Sequence, residues 1–467
     1  MPCQTDTLGH YSQDTLAGSS GNEYSGVEAP VSGKGGAKAH SRHVSKAASR
    51  SGETLPTKQA FEITTPLIRV GPEPTCHVTL MPPTRFPSQP NQYYNTFNGT
   101  YTPSPKCDPR GRGDWAQIVL TWTAQVAGRQ FDRLAGVWVG GVEILRTSTA
   151  EPRRGCVRWT IDKDVIQYAA LFRTAQPINV QLSNLVRGNL TGVYTVQITL
   201  AFYASGPING PSAVVPDVIL PLRNGYENGS CSGPDCRLGR DEQEFWYTYP
   251  PSRYEPTGAF KEQNTLPIHP PFRSARAQIR LLIDGTVVGV VWPFPVIFTG
   301  GFDPRLWSPI VAIGAFNAPT TSVDVSPFLS VFNDGKPHTF TLDMGETVGK
   351  FWLVDANLQL YLDPNATEPL FAVLEEYDVT PEPQRLSKTA QNVSLDVNEN
   401  VTRFRIGEDY GFVSEQEVSL DGKREAWKQL TTIKSELETL SVREQLATVY
   451  YRRSARFEYP IKGSAEK

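Results

Sequence analysis

The longest alternations of apolar and polar positions lie between residues 115 and 205. Ile118, Leu120, Trp122, Ala124 and Val126 alternate with Gln117, Thr121, Thr123 and Gln125, and Tyr194, Val196, Ile198, Leu200 and Phe202 alternate with Thr195, Gln197 and Thr199. A period of two sustained this long predicts strands with one face in a core and the other toward solvent, as in antiparallel sheets. Between them, Gly140-Gly141 separates Val137-Trp138-Val139 from Val142-Glu143-Ile144, a two-residue hairpin whose turn positions can both take positive φ. A second hairpin is expected where Asp284-Gly285 joins residues 279–283 to 287–291. Trp352, Val354, Ala356, Leu358, Leu360 and Leu362 alternate over a further long strand. Only the tail departs from this period. There Trp427, Leu430, Ile433, Leu437 and Leu440 recur at helical spacing amid Lys and Glu, which predicts a helix over about residues 422–447.

The pattern fades in two places. Residues 1–58 are rich in Ser, Gly, Ala and Lys, almost lack large apolar side chains, and are expected to be disordered. Residues 206–240 carry Pro207, Pro211, Pro216, Pro221 and Pro234 among Gly and Asn, and read as a linker. The expected organisation is therefore a first β-sandwich at 59–205, the linker, a second sandwich at 241–375 and a C-terminal extension at 376–467. A chain of 467 residues exceeds what one core normally organises, and many short strands with Pro/Gly turns imply sandwiches.

Composition narrows the function. A net charge of -3 gives no electrostatic reason to expect nucleic acid, and no apolar run approaches the ~20 residues of a membrane-spanning helix. The cysteines are Cys3, Cys76, Cys107, Cys156, Cys231 and Cys236. Their spacing, with only six histidines, does not fit a zinc site, and neither metal nor cofactor is expected. Cys76 with Cys107, and Cys231 with Cys236, could form disulfides, and isolated buried thiols are the competing reading. The sequence lacks a P-loop, G-x-G-x-x-G, G-x-S-x-G and H-E-x-x-H, which removes the usual nucleotide, serine-hydrolase and zinc-protease mechanisms. Arg112-Gly113-Asp114 is an RGD triplet of a kind common by chance. Sequons occur at Asn98, Asn189, Asn228, Asn365, Asn392 and Asn400, and the N-terminus lacks the sections of a signal peptide.

One long stretch is more specific. Gly128-Arg129-Gln130-Phe131-Asp132-Arg133, Gly140-Gly141-Val142-Glu143-Ile144-Leu145-Arg146 and Thr147-Ser148-Thr149-Ala150-Glu151-Pro152 resemble the peptide N-glycanase A family, secreted amidases that cut N-glycans from asparagine. The resemblance returns at Glu244-Phe245-Trp246-Tyr247, at Pro293 to Gly301 and at Val354-Asp355-Ala356-Asn357-Leu358, covering roughly residues 60–370. It implies two consecutive antiparallel jelly-roll-like sandwiches, more strands in the tail, a glycoamidase acting on N-glycosylated peptides or glycoproteins, and a secreted or vacuolar/lysosomal location. A catalytically inactive glycan-binding protein on the same sandwiches is the alternative.

Hydrolysis of a glycosylated asparagine needs one group to activate water, another to hold the leaving nitrogen, and donors to steady the oxyanion. Two carboxylates in differently polar surroundings can divide the first two roles. Asp132, in the aromatic-Asp-Arg sequence Phe131-Asp132-Arg133, is the first catalytic candidate by resemblance, with Arg133 beside it. Glu244, before Phe245-Trp246, is the second, and Asp241 and Glu242 compete with it. Glu143 alternates with Val142 and Ile144 and is expected to face away from the core, toward solvent. Glu151, before Pro152, is expected to shape the rim of the cleft. Arg133, Glu143, Glu151 and Trp246 are thus the substrate-binding candidates. Trp138, Trp246, Trp292 and Trp307 lie in or beside the matching motifs, where an indole face can stack on a pyranose.

Overall fold

The computed structural model describes residues 57–61, 66–87, 95–152, 155–222, 279–291, 314–332, 334–343 and 354–365, together with short strands at 247–248 and 296–297 and the strands between 372 and 463. The strands of the first half are β1 (Thr57–Ala60), β2 (Cys76–Phe86), β3 (Thr96–Tyr101), β4 (Trp115–Ala127), β5 (Leu134–Val139), β6 (Val142–Ser148), β7 (Cys156–Asp164), β8 (Gln176–Leu182), β9 (Val193–Ala204) and β10 (Val218–Leu222). They form one sheet in the order β1-β7-β4-β9-β2 and a second in the order β3-β8-β5-β6, while β10 pairs elsewhere. Neighbours are antiparallel except β1 and β7, which run parallel.

The two sheets pack face to face because alternate residues of each are apolar. Ile118, Leu120, Trp122, Ala124 and Val126 of β4 and Tyr194, Val196, Ile198, Leu200 and Phe202 of β9 meet Ala135, Val137 and Val139 of β5 and Ile178, Val180 and Leu182 of β8 in one core. The inward positions read on β4 and β9 are therefore as expected, whereas Gln117, expected on the solvent face, is buried, accepting from Val70 N–H and donating to Ile68 O and Asp164. The Gly140-Gly141 turn is also as expected, with φ of 60° and 82°. Cys76 and Cys107 form a disulfide with their Cα atoms 5.0 Å apart. Cys156 is disulfide-bonded too, and Cys231 and Cys236 lie outside the described residues.

The first core is completed from the second half of the chain. Ser148 N–H of edge strand β6 donates to Ala315 O (2.9 Å), and Ala318 N–H donates to Arg146 O (3.1 Å). Between these contacts Phe316, fully buried, stacks on Trp159 of β7 with ring centroids 5.7 Å apart. Ile219 of β10 joins the same core. The segment thus covers an edge strand and fills the gap between the two sheets.

The other strands are β11 (Tyr247–Thr248), β12 (Ile279–Ile283), β13 (Thr286–Val291), β14 (Val296–Ile297), β15 (Phe340–Asp343), β16 (Ala356–Leu360), β17 (Ala372–Val379), β18 (Gln384–Arg385), β19 (Asn392–Val397), β20 (Val401–Leu420), β21 (Lys423–Val442), β22 (Gln445–Glu458) and β23 (Ile461–Gly463). Strand β10, inside the stretch read as a linker, pairs with β16, and β12 lies between β13 and β15. The alternation from Trp352 to Leu362 yields the shorter strand β16, with Tyr361 and Leu362 exposed beyond it. The helix expected over 422–447 is instead mostly β21, paired along its whole length with β20 and for much of it with β22. Two ladders of backbone hydrogen bonds, with Thr431, Thr432, Ile433 and Thr439 suited to a pleated surface, override the local helical spacing.

A polar tie fastens the β12–β13 turn. Asp284 accepts from Thr339 N–H (2.8 Å) and meets His338 Nδ1 (2.7 Å), while His338 Nε2 meets Asp334 (2.9 Å). Both ring nitrogens face carboxylates, so the imidazolium is favoured, and the bonds to Asp284 and then Asp334 raise the His338 pKa above its ordinary 6.5.

Two outcomes follow from this architecture. Phe316→Ala opens a cavity against Trp159 and is expected to destabilise the protein by about 3–5 kcal/mol, read as a lower urea midpoint. His338 should titrate by NMR with a midpoint above 6.5. Because the folded value is raised, the contribution of the tie is complete below the ordinary value and is lost as pH rises through the raised one.

Candidate functional site

The loop from Gly128 to Arg133 leads into β5 and is held by backbone and side-chain bonds at nearly every residue. Gly128 adopts φ of 108°, and a Cβ there would lie 2.6 Å from Thr191 Oγ1, so only glycine permits this approach. Thr191 and Gly192 N–H both donate to Arg129 O (2.9 Å each), and Gln130 N–H donates to Pro152 O (3.0 Å). The buried Gln130 side chain donates to Leu185 O (3.1 Å) and Gly192 O (3.2 Å) and accepts from Phe131 N–H (3.1 Å) and Arg133 Nη2 (2.7 Å). It wedges the loop into one conformation.

Beyond its last register pair, Leu134 with Ser148, the β5–β6 ladder continues one step, since Thr149 N–H donates to Arg133 O (3.0 Å) and Arg133 N–H donates to Thr149 Oγ1 (2.8 Å). The next step brings two acids together, with Asp132 N–H donating to Glu151 Oε1 (3.3 Å). Behind them the Tyr194 hydroxyl accepts from Thr149 Oγ1 (3.0 Å) and shares its proton between Phe131 O (3.0 Å) and Ala150 O (3.1 Å). Burial raises its pKa, with the Arg133 charge opposing and the Asp132 and Glu151 charges adding to the rise. Asp132, Arg133 and Glu151 thus all act on a single hydroxyl. The Arg133 Nε–H is buried with no acceptor among the described residues. Phe131 is 49% exposed beside them, with the Arg129 guanidinium 5.9 Å from its ring centroid. This end of the hairpin therefore offers two half-buried carboxylates, a guanidinium with an unused donor and an exposed aromatic ring.

Glu143 is elsewhere. It pairs in register with Trp138, six residues along the chain from Asp132, a separation of about 20 Å in an extended strand. Its carboxylate is not solvated as expected but held by Arg146 through Nε and Nη2 (2.8 Å each), with an 11% exposed side chain. Trp138, expected to offer a stacking face, is buried and donates from Nε1 to Asp355 (2.7 Å), a residue of the second half. Burial first, and then the Glu143 charge, push the Asp355 carboxyl up to about 6. Burial pushes the nearby Lys163 down to about 8, against the pull of Glu143. Glu244, Trp246, Asp241, Glu242, Trp292 and Trp307 lie outside the described residues.

Gln130, Thr149, Tyr194 and Asp355 carry much of this arrangement and were not singled out from the sequence. Gln130 and Thr149 stand inside the matching motifs, and Asp355 lies in the Val354-Asp355-Ala356-Asn357-Leu358 match, which were the signals available. Tyr194 looks like any inward residue of an alternating strand, and its polar role had no local mark.

Residues 69–232 and 236–377 match the family model described as peptide N-acetyl-beta-D-glucosaminyl asparaginase amidase A. The chain belongs to this family. Both the Asp132 end of the hairpin and Asp355 fall within the matched residues. A peptide-N4-(N-acetyl-beta-glucosaminyl)asparagine amidase A from Prunus dulcis is 37% identical over 304 residues, which are 57% of this chain and 51% of that protein. The chain thus spans about half the length of this relative. A crystal structure of a peptide-N(4)-(N-acetyl-beta-D-glucosaminyl) asparagine amidase shares 12% identity over 59% of this chain and 85% of its own, with a TM-score of 0.27. Recombinant peptide:N-glycanase F shares 10% identity over 62% and 90%, with a TM-score of 0.26. At TM-scores this low neither likeness carries a structural argument.

The Trp138–Asp355 contact yields a pH test. The folded carboxyl titrates near 6 against an ordinary 3.8, so the folded chain binds the proton more tightly and stability falls as pH rises between these values. The difference is on the order of 2–3 kcal/mol. Asp355→Asn keeps an acceptor for the indole and removes the charge. It should be the more stable form at about pH 7 and match the parent at about pH 4, measured by urea denaturation. A loss at about pH 7 larger than at about pH 4 would show that the carboxylate is needed in its charged form.

Proposed function

We propose that the chain is a glycoamidase that hydrolyses the bond between the innermost N-acetylglucosamine of an N-glycan and the asparagine side-chain nitrogen of a glycopeptide or glycoprotein. The observation that carries this reading is the meeting of Asp132, Arg133 and Glu151 at one hairpin end, inside the family match. The chemistry fits those groups. Asp132 takes a proton from water as the water oxygen bonds to the side-chain amide carbon, and the positive charge of the neighbouring Arg133 favours the oxyanion that forms. The C–N bond then breaks, the glycosylamine leaves with a proton, and the asparagine becomes an aspartate. Glu151 holds polar groups of the substrate beside Asp132. Glu244 serves the leaving nitrogen and Trp246 the sugar ring, by resemblance. Glu143, paired with Arg146, is assigned to holding the far end of the hairpin. No metal or cofactor enters this scheme.

Several finer features belong to the same reading. The first half is an eight-strand jelly roll over β2 to β9, supported by sheet orders that run β7-β4-β9-β2 and β3-β8-β5-β6, and a second sandwich follows over residues 241–375. The protein works in a secreted or vacuolar compartment, supported by the Cys76–Cys107 disulfide.

The deciding experiment is mass spectrometry of a glycopeptide after incubation. The parent should release an intact glycan and leave Asp in place of Asn. Asp132→Asn should fold and bind but convert substrate about 10²–10⁴-fold more slowly. Release at the parent rate by this variant would end the assignment of Asp132, and no release by the parent would end the amidase reading.

A further inference from the structure

Strand β3 closes the second sheet, pairing with β8 on one side and with no described strand on the other. Phe97 and Tyr101 turn to the core, while Thr96, Asn98 and Thr100 are exposed together on the outward face. The segment Thr-Phe-Asn-Gly-Thr-Tyr carries neither a charge nor a proline. An edge strand offers unpaired N–H and C=O groups to any other strand, and natural edges are blunted by charge, proline or a cover. Aromatic and β-branched residues without charge are also the composition that pairs most readily between chains. This edge therefore needs a cover that its own side chains do not supply.

Asn98-Gly99-Thr100 is a sequon, and its acceptor amide and its hydroxyl share the open face. Sequons arise easily by chance, but the amide of this one is oriented. Asn98 and Asn179 are a register pair across β3 and β8, and Asn179 Nδ2 donates to Asn98 Oδ1 (2.6 Å). Gln181 Nε2 donates to Asn179 Oδ1 (3.0 Å), which leaves the Asn179 nitrogen to face Asn98. Asn98 thus turns its oxygen toward β8 and its nitrogen away from it, over the open edge. N-glycosylation joins that nitrogen to C1 of the first sugar of a lipid-diphosphate-linked oligosaccharide; the nitrogen gives up one proton and the lipid diphosphate leaves. Oδ1 is untouched, so the bond from Asn179 survives and the folded sheet accepts the sugar without rearrangement.

We propose that Asn98 is an N-glycosylation site and that its glycan caps the β3 edge, in the role that a charged side chain plays on other edge strands. The modification requires a secretory route, so it rests on the secreted or vacuolar part of the proposed function and not on the amidase chemistry.

For the test, the full chain is exported from yeast behind a cleavable secretion leader, which judges the site apart from the compartment the protein naturally occupies. Glycopeptides are mapped by mass spectrometry for the parent and for Asp132→Asn, a form expected not to strip its own glycans. Asn98 should carry a glycan in Asp132→Asn, and that result sustains the site whether or not the amidase reading survives. An unmodified Asn98 in both forms overturns it. Capping is tested with Thr100→Ala, which removes the sequon at an exposed position and keeps the bond between Asn98 and Asn179. On the Asp132→Asn background it should enlarge the aggregated fraction after gentle warming, read by size-exclusion chromatography at matched concentration. Adding Thr96→Lys, a charge on the same exposed face, should reverse that increase. Unchanged aggregation in Thr100→Ala, or no reversal by Thr96→Lys, overturns the capping role.

Discussion

A buried polar side chain must find partners for every donor and acceptor or destabilise the fold, and Gln130 meets that demand in a way that fixes the site. Its amide joins three pieces of chain, the loop before β5, the turn near Leu185 and the approach to β9, and it also grips the Arg133 guanidinium. The Tyr194 hydroxyl does the same from the core side for the carbonyls of Phe131 and Ala150. The residues flanking Asp132 and Glu151 are therefore anchored to the packed interior, and the two acids keep their relative position without a bond between their carboxyl groups. Rigidity here comes from polar satisfaction behind the site, not from contacts within it.

The opposite end of the same hairpin has another kind of constraint. Glu143, Arg146, Asp355 and Lys163 bring charge to a place from which water is largely excluded, and the carboxyl of Asp355 is displaced accordingly. A buried ion pair of this type contributes little net stability against a well-packed apolar cluster, but removing one partner leaves the other stranded. Its effect is to fix how the segment leading into β16 meets β5. The hairpin is thus clamped at both ends by polar groups and along its length by the core.

The sequence made the local geometry plain where a period and a turn agreed. Strands β4 and β9, the Gly140-Gly141 hairpin and the Asp284-Gly285 turn were legible because side-chain alternation and glycine conformational freedom are properties of short stretches. Asp132 and Glu151 were legible as candidates through the long motif they share. Their juxtaposition was not, since it depends on where β6 ends relative to β5, a matter of register. Glu143 was misjudged as solvated because alternation tells which face a residue takes and not what meets that face, and there its register partner Trp138 meets Asp355, more than 200 residues later. Strand β21 went wrong for the same reason. Apolar residues at helical spacing state a local preference, and two long neighbours outvoted it.

The stacking of Phe316 on Trp159 has a consequence for the order in which the protein comes into being. Trp159 leaves the ribosome 157 residues ahead of its partner, counting from 159 to 316. At ordinary elongation rates of about 5–20 residues per second, the strands of the first half wait on the order of 10–30 s with that aromatic slot empty and the β6 edge bare. During this interval the nascent chain presents an unpaired strand and an open apolar gap to its surroundings. The late segment is in effect an internal plug, so the first half reaches its finished form only after most of the chain has been made.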